Sequence, residues 1–158
     1  MSEKHVIWFP GAIYSISCYD SFNRQLFNRD KDYINFLSLL ELVRYHYPFY
    51  LHAYSLTPNE IYLLIETTHV PIQDIIKKLT QQYESTFTLI DSANEFLKAS
   101  KLIHLMGNRQ NYRWSSYLSF ISHVPNDHIV TSRILNYFPD PKMKHYRKFV
   151  EENVLSKL

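Results

Sequence analysis

Between His52 and Thr67 the chain reads as two β-strands that meet at Thr57-Pro58-Asn59. This hairpin limits the possible folds more than any other stretch. Before the break, Tyr50, Leu51 and Tyr54 cluster β-favouring side chains. After it, Ile61, Leu63 and Ile65 alternate with Glu60, Tyr62, Leu64 and Glu66, a period of two that leaves one face apolar. Such a strand needs a second layer against that face. The other face carries Glu60 and Tyr62 at i and i+2, about 7 Å apart along the strand. Two functional groups so placed can hold a metal or a substrate phosphate.

The rest of the chain supplies the second layer. From Gly11 to Ser17, Ile13 and Ile16 sit among Tyr14, Ser15 and Ser17, which reads as a first strand. Asp30 suits a helix N-cap. Behind it Tyr33, Phe36, Leu37, Leu40, Val43 and Tyr47 recur at helical spacing until Pro48 stops the pattern. Pro71 suits the start of a second helix. Its apolar stripe is Ile72, Ile75, Ile76, Leu79 and Tyr83, with Lys77 and Lys78 on the other side. The order strand, helix, strand, strand, helix packs most simply as an α+β fold, an antiparallel sheet with helices on one face. Near the end, Lys142, Lys144, Arg147 and Lys148 make a basic helical tail that buries Tyr146, Phe149 and Val150.

A chain of 158 residues is expected to form one domain, 1–158, with a core over about 9–121 and a C-terminal extension over about 122–158. Hydrophobic residues make up 46% of the chain, enough for a sizeable core. A net charge of +2 permits nucleic-acid binding without requiring it. The single Cys18 cannot form an internal disulfide, which fits a reducing cytoplasm. No apolar run is long enough to span a membrane. The histidines show no ligand spacing, so they predict no zinc site.

Ala53-Tyr54, Leu56, Pro58-Asn59 and Leu63-Leu64-Ile65-Glu66-Thr67, followed downstream by Tyr112-Arg113-Trp114-Ser115-Ser116-Tyr117, resemble in order and spacing the IS200-like and REP-associated tyrosine transposases. Gly11-Ala12-Ile13-Tyr14, Leu26-Phe27, the segment from Leu97 to Leu105, Ile134 to Phe138, and Tyr146 to Val150 extend the resemblance along nearly the whole chain. One internal gap follows Phe87. The resemblance implies a ferredoxin-like fold, a homodimer and DNA as partner. In that family two histidines bind a divalent metal that polarises the scissile phosphate. A tyrosine attacks phosphorus and stays covalently attached. The histidine positions fall on Glu60 and Tyr62 here. A further polar signature falls on Ser15 and Tyr19-Asp20-Ser21, and the nucleophile aligns with Phe96.

Phenylalanine has no oxygen to attack with. Tyr62 is a poor ligand for a hard metal, because a phenol titrates near pH ~10. Glu60 could ligate Mg²⁺, but one carboxylate seldom makes a site. These losses predict a catalytically inactive relative without a cofactor, still binding hairpin or single-stranded DNA. An active nuclease with Mg²⁺ at Glu60 and Tyr83 as substitute nucleophile is the alternative. A protein-interaction module without DNA binding is a third. Glu60 and Tyr62 as ordinary solvent-facing residues, and Tyr83 as core, are the plain readings. The candidate DNA contacts are Lys98, Lys101, Arg109, Arg113, Trp114, Lys144, Arg147 and Lys148. Arg113 and Trp114 could clamp a phosphate and stack a base, or the tryptophan could be a packing anchor. The basic tail could equally be a solvated helix face.

Overall fold

The computed structural model describes residues 7–107 and 112–155. Four antiparallel strands form one sheet in the order β2-β3-β1-β4: β1 (Ile13–Tyr19), β2 (Phe49–Leu56), β3 (Glu60–Thr67) and β4 (Glu84–Ile90). Helix α1 (Asp30–His46) joins β1 to β2, and α2 (Ile72–Leu79) joins β3 to β4. This is the ferredoxin-like arrangement expected from the sequence. The β2–β3 hairpin closes where expected: the Thr57 N–H donates to the Glu60 carbonyl, and the Glu60 N–H donates to Thr57 Oγ1 at 3.1 Å.

On one face Tyr14, Ile16, Leu51, Tyr54, Leu63 and Ile65 join the buried stripes of α1 and α2 in a continuous core. Within α1 the capping differs from expectation. Arg29 is the N-cap, and Asp32 reaches back to accept hydrogen bonds from the Asn28 and Arg29 N–H groups at 2.8 and 3.0 Å. An acidic side chain three residues into a helix satisfies the same orphan donors from inside the first turn. Tyr83 differs too. It follows the end of α2 and sits half-buried against the first core. The strand β4 that it precedes was not expected from the sequence. Its polar residues Glu84, Thr86 and Thr88 face outward, so the stretch lacks an apolar signature strong enough to mark a strand.

The second face of the sheet is also covered. Helix α3 (Ala93–Gly107) crosses it, and the short helices α4 (Tyr117–Ile121) and α5 (Ser132–Leu135) and the long α6 (Lys142–Leu155) pack behind. Ala53, Leu64, Phe96, Ile103, Phe120, Tyr146 and Val150 make this second core. A register shift between Leu51 and Ala53 permits it, because the bulge turns both His52 and Ala53 toward this side. The sheet is thus a layer between two helical layers. Sequence reasoning placed α1 and α2 on one face and expected a helical C-terminal tail, without assigning any helix to the second face.

A buried polar network holds the second layer. His104 of α3 is wholly buried; its Nδ1 lies 2.6 Å from Tyr146 Oη and its Nε2 lies 2.8 Å from Ser116 Oγ. Tyr146 donates to Ser100 Oγ, and Ser100 donates to the Leu97 carbonyl. Ser116 accepts from the Tyr54 N–H on strand β2 at 2.9 Å. With Nδ1–H donating to Tyr146 and Ser116 O–H donating to Nε2, both ring nitrogens of a neutral imidazole are satisfied. At the sheet's far end, His52 Nε2–H donates to Glu66, which also accepts from Arg133 of α5 at 2.8 Å. Gly107 ends α3 in a confined space. A β-carbon there would stand 3.1 Å from atoms of Ser115, Ser55 and Tyr112.

Burial lowers the pKa of His104 to about 3 and also lowers that of His52, the latter against the opposing pull of Glu66. The unfolded chain binds protons at these sites below pH ~6.5 while the folded chain does not, so stability falls as pH drops through that range. His104 alone is expected to cost up to about 1.4 kcal/mol per pH unit there. Urea unfolding at pH 7.5 and pH 5.0 checks this. His104→Asn should be less stable at pH 7.5 and should lose less stability on acidification. An equal pH slope in both proteins would contradict it.

Candidate functional site

Glu60 and Tyr62 lie on the second face of β3, opposite Tyr19 and Ser17 of β1. A cleft of about 420 Å³ opens between this part of the sheet and α3. Its floor carries the hydroxyl side chains of Ser15, Ser17, Tyr62 and Thr88, and Ser17 Oγ lies 3.1 Å from Thr86 Oγ1. Its wall is Leu102, Ile103 and Met106, and its rim carries Glu95 and Lys98. Seven-residue strand β1 brings Ser15 and Ser17 to one face because alternate residues share a face. Helix α3 brings Glu95, Lys98, Leu102 and Met106 to one stripe because residues three and four apart are neighbours.

The donor set does not fit a catalytic divalent cation. Among the described residues, no three His, Cys, Asp or Glu side chains gather to hold a metal. Around Tyr62 the oxygens belong to neutral alcohols and a phenol, and hard cations take charged carboxylates or several carbonyls. Glu60 stands half-exposed at the start of β3, where its backbone is tied into the hairpin turn.

Phe96 lies elsewhere than the family resemblance implies. It is buried on the neighbouring stripe of α3, with its ring edge-on to His52 at 5.4 Å and near Tyr137 at 6.4 Å. It does not line the cleft. The α3 positions that do are Glu95, Lys98, Ala99, Leu102, Ile103 and Met106. None is a tyrosine, so the lack of a helix-borne nucleophile does not depend on the register chosen. Tyr83, the substitute nucleophile of the nuclease alternative, packs on the opposite side of the sheet from the cleft, lining a groove of about 670 Å³ with Leu42, His46 and Lys78. Burial raises its pKa as well, which disfavours the phenolate.

The candidate DNA contacts fall into two groups. Lys98 and Lys101 lie on α3, and the Lys101 ammonium stands 5.2 Å from the centre of the Phe149 ring on α6. Lys144, Arg147 and Lys148 project to solvent from α6, with Arg147 paired to Glu151 at 3.2 Å and Lys148 to Glu152 at 4.0 Å. Exposed pairs of this kind contribute little and exchange readily with other anions. The Lys101–Phe149 contact links α3 to α6. Arg109 lies outside the described residues. Arg113 instead pairs with Asp30 of α1 at 3.5 Å.

Trp114 is a packing anchor. Its indole is sandwiched between the Tyr33 ring at 4.7 Å and the Arg113 guanidinium at 4.4 Å, and the residue is 7% exposed. Neither face is open to a base. Sequence reasoning missed Ser17, Thr88 and Glu95. Alternation along β1 from Ser15 could have found Ser17, whereas Thr88 needed the unexpected strand β4.

With the geometry in place, the chain can be compared with known proteins. The structure of a REP-associated tyrosine transposase bound to a REP hairpin is similar to it, with a TM-score of 0.61 at 12% identity over 77% of this chain and 86% of that one. A candidate transposase from Deinococcus radiodurans gives a TM-score of 0.39 at 13% identity over 72% of this chain and 78% of that one. No protein-family model and no curated protein matches the sequence. The chain therefore has the fold of a REP-associated tyrosine transposase.

The placement of Phe96 has a direct consequence. Phe96→Tyr should not create a nucleophile, because position 96 faces the second core. The added hydroxyl must find a partner beside His52 or cost about 1–3 kcal/mol. Thermal unfolding should show a stability equal to or below that of the parent, with no DNA-linked species after incubation with hairpin DNA and Mn²⁺. A covalent adduct with this variant would show that the residue reaches the cleft.

Proposed function

We propose that this protein binds hairpin or single-stranded DNA without cutting it, a regulator built on a transposase scaffold. The observation that carries the reading is the composition of the cleft. Where the resemblance implies a metal-binding histidine pair and a tyrosine, the chain carries Tyr62 and a helix face without tyrosine in the cleft, and Glu60 two residues before Tyr62, outside its lining. Beside it, the lysines of α3 and the cations of α6 offer a positive surface for phosphates. Solved structures with this fold include a transposase holding a REP hairpin, which supports DNA as the class of partner. The buried Cys18, its thiol pushed up to about 12 by burial, is chemically quiet and suits a cytoplasmic protein. Among the described residues, no helix is long and apolar enough to cross a membrane.

We also propose a homodimer through β4. One edge of the sheet, β2, is covered: Leu56 donates to Trp114, Ser116 donates to Tyr54, and Val130 donates to Leu51. The other edge is β4, with its outward Glu84, Thr86 and Thr88. An uncovered edge strand presents backbone donors and acceptors to a second copy.

Three measurements check this reading. Incubation with hairpin DNA and Mg²⁺ or Mn²⁺ should give no protein–DNA band on a denaturing gel; a band abolished by mutating a tyrosine would restore the nuclease alternative. Fluorescence anisotropy with a labelled hairpin should show affinity falling steeply with salt. Charge reversal at Lys144, Arg147 and Lys148 should flatten that slope by about 0.7 for each phosphate no longer neutralised. No binding at low salt would favour the interaction-module reading. Light scattering should give twice the 19.0 kDa chain mass; a monomer at micromolar concentration would rule out the dimer.

A further inference from the structure

Phe27, Tyr33, Trp114 and Arg113 form a column of four stacked groups. Phe27 and Tyr33 lie with ring centres 4.4 Å apart, Tyr33 and Trp114 lie 4.7 Å apart and nearly parallel, and the Arg113 guanidinium closes the column 4.4 Å from the Trp114 ring centre. The first three are buried and belong to the core. The fourth is 65% exposed along its side chain and is tethered by Asp30. Beside the column opens a cavity of about 590 Å³. It is formed by the loop before α1, the β2–β3 turn and the end of α3, and Gln25, Asn28, Arg29 and Thr57 supply its polar lining.

An exposed arginine whose guanidinium rests 4.4 Å from the centre of a buried indole is an unusual surface group. The indole and Asp30 restrain its side chain, which is still 65% exposed. Guanidinium planes stack on nucleobases as aromatic rings do, while the N–H fork at their edge meets phosphate. The neighbouring side chains fit the same ligand. Asn28 and Gln25 carry amides of the kind that read base edges, and Arg29 adds a second cation for the backbone. Phe27, Tyr33, Tyr112 and Met106 mix with these amides and with Asp30 in the cavity wall, a lining suited to a planar heterocycle.

We propose that Arg113 is a preformed stacking platform for one unpaired nucleobase, next to the cavity that Trp114 and Asn28 line. The site adjoins the Tyr62 cleft at Met106 and uses different side chains from the cations of α6. It rests on the single-strand binding proposed above and adds to it a preference for unpaired bases over duplex.

The test compares Arg113→Ala, Arg113→Lys and the parent for binding a hairpin with a single-stranded extension, a blunt duplex, and the same hairpin with abasic sites in its extension. Arg113→Lys keeps the charge and removes the plane. Both variants should bind the extended hairpin about ten-fold more weakly, as expected for loss of one base stack. Their affinity for duplex should be unchanged, and abasic extensions should bind the parent as weakly as the variants bind the intact strand. In a Trp8→Phe background, the fluorescence of Trp114 should change saturably with the intact extension alone. If Arg113→Lys binds like the parent, or abasic and intact extensions bind alike, the platform is wrong while DNA binding stands. If the parent binds no strand, both proposals fall.

Discussion

His104 is the contact on which the second half of the molecule depends. A wholly buried imidazole would be costly if unpaired, yet both its nitrogens are used, one toward Tyr146 of α6 and one toward Ser116. Ser116 in turn accepts from strand β2. One side chain therefore fixes α3 to the sheet, to the Tyr112–Tyr117 segment and to the C-terminal helix. Aromatic rings surround it: the centres of Tyr117, Phe120 and Tyr146 lie 5.2, 4.8 and 5.7 Å from its own. Low local dielectric strengthens such a network when every member is satisfied and makes a missing partner expensive.

This arrangement explains why a segment reading Tyr112-Arg113-Trp114-Ser115-Ser116-Tyr117 needs no catalytic role. Tyr112 donates to the Leu56 carbonyl, Trp114 packs on Tyr33, Ser115 bridges to Ser55, Ser116 serves the network, and Tyr117 donates to Glu151. Together they cover the β2 edge of the sheet and hold α3 over its face. The cleft under α3 is then a by-product of the scaffold, open whatever its lining residues are. Alcohols at Ser15, Ser17, Tyr62 and Thr88 are compatible with that architecture and are poor equipment for metal-assisted phosphoryl transfer.

Much of this was legible in the residues. The alternation from Ile61 to Ile65 and the helical spacing from Tyr33 to Val43 placed β3 and α1, and Pro71 marked the start of α2. That Glu60 and Tyr62 stand where the resemblance implies histidines was visible directly. What escaped were features set by tertiary contacts. Strand β4 has one exposed face and too few apolar residues to announce itself. The bulge at His52 follows from packing under Phe96. The burial of Phe96 depends on which stripe of α3 meets the cleft, and a pattern match cannot fix a helix's rotation. Trp114 reads as a stacking residue until its two faces are seen to be occupied.

On the proposed function, the cleft and the α3–α6 surface receive DNA without help from a metal at Glu60 and Tyr62. Backbone amide NMR of the ¹⁵N-labelled protein, titrated with a DNA hairpin in the presence and absence of Mg²⁺, tests this most directly. Shifts should gather on α3, on α6 and on the strands beneath α3, the same with and without Mg²⁺. Mg²⁺-dependent shifts centred on Glu60 and Tyr62, or DNA shifts confined to the groove between α1 and α2, would contradict it.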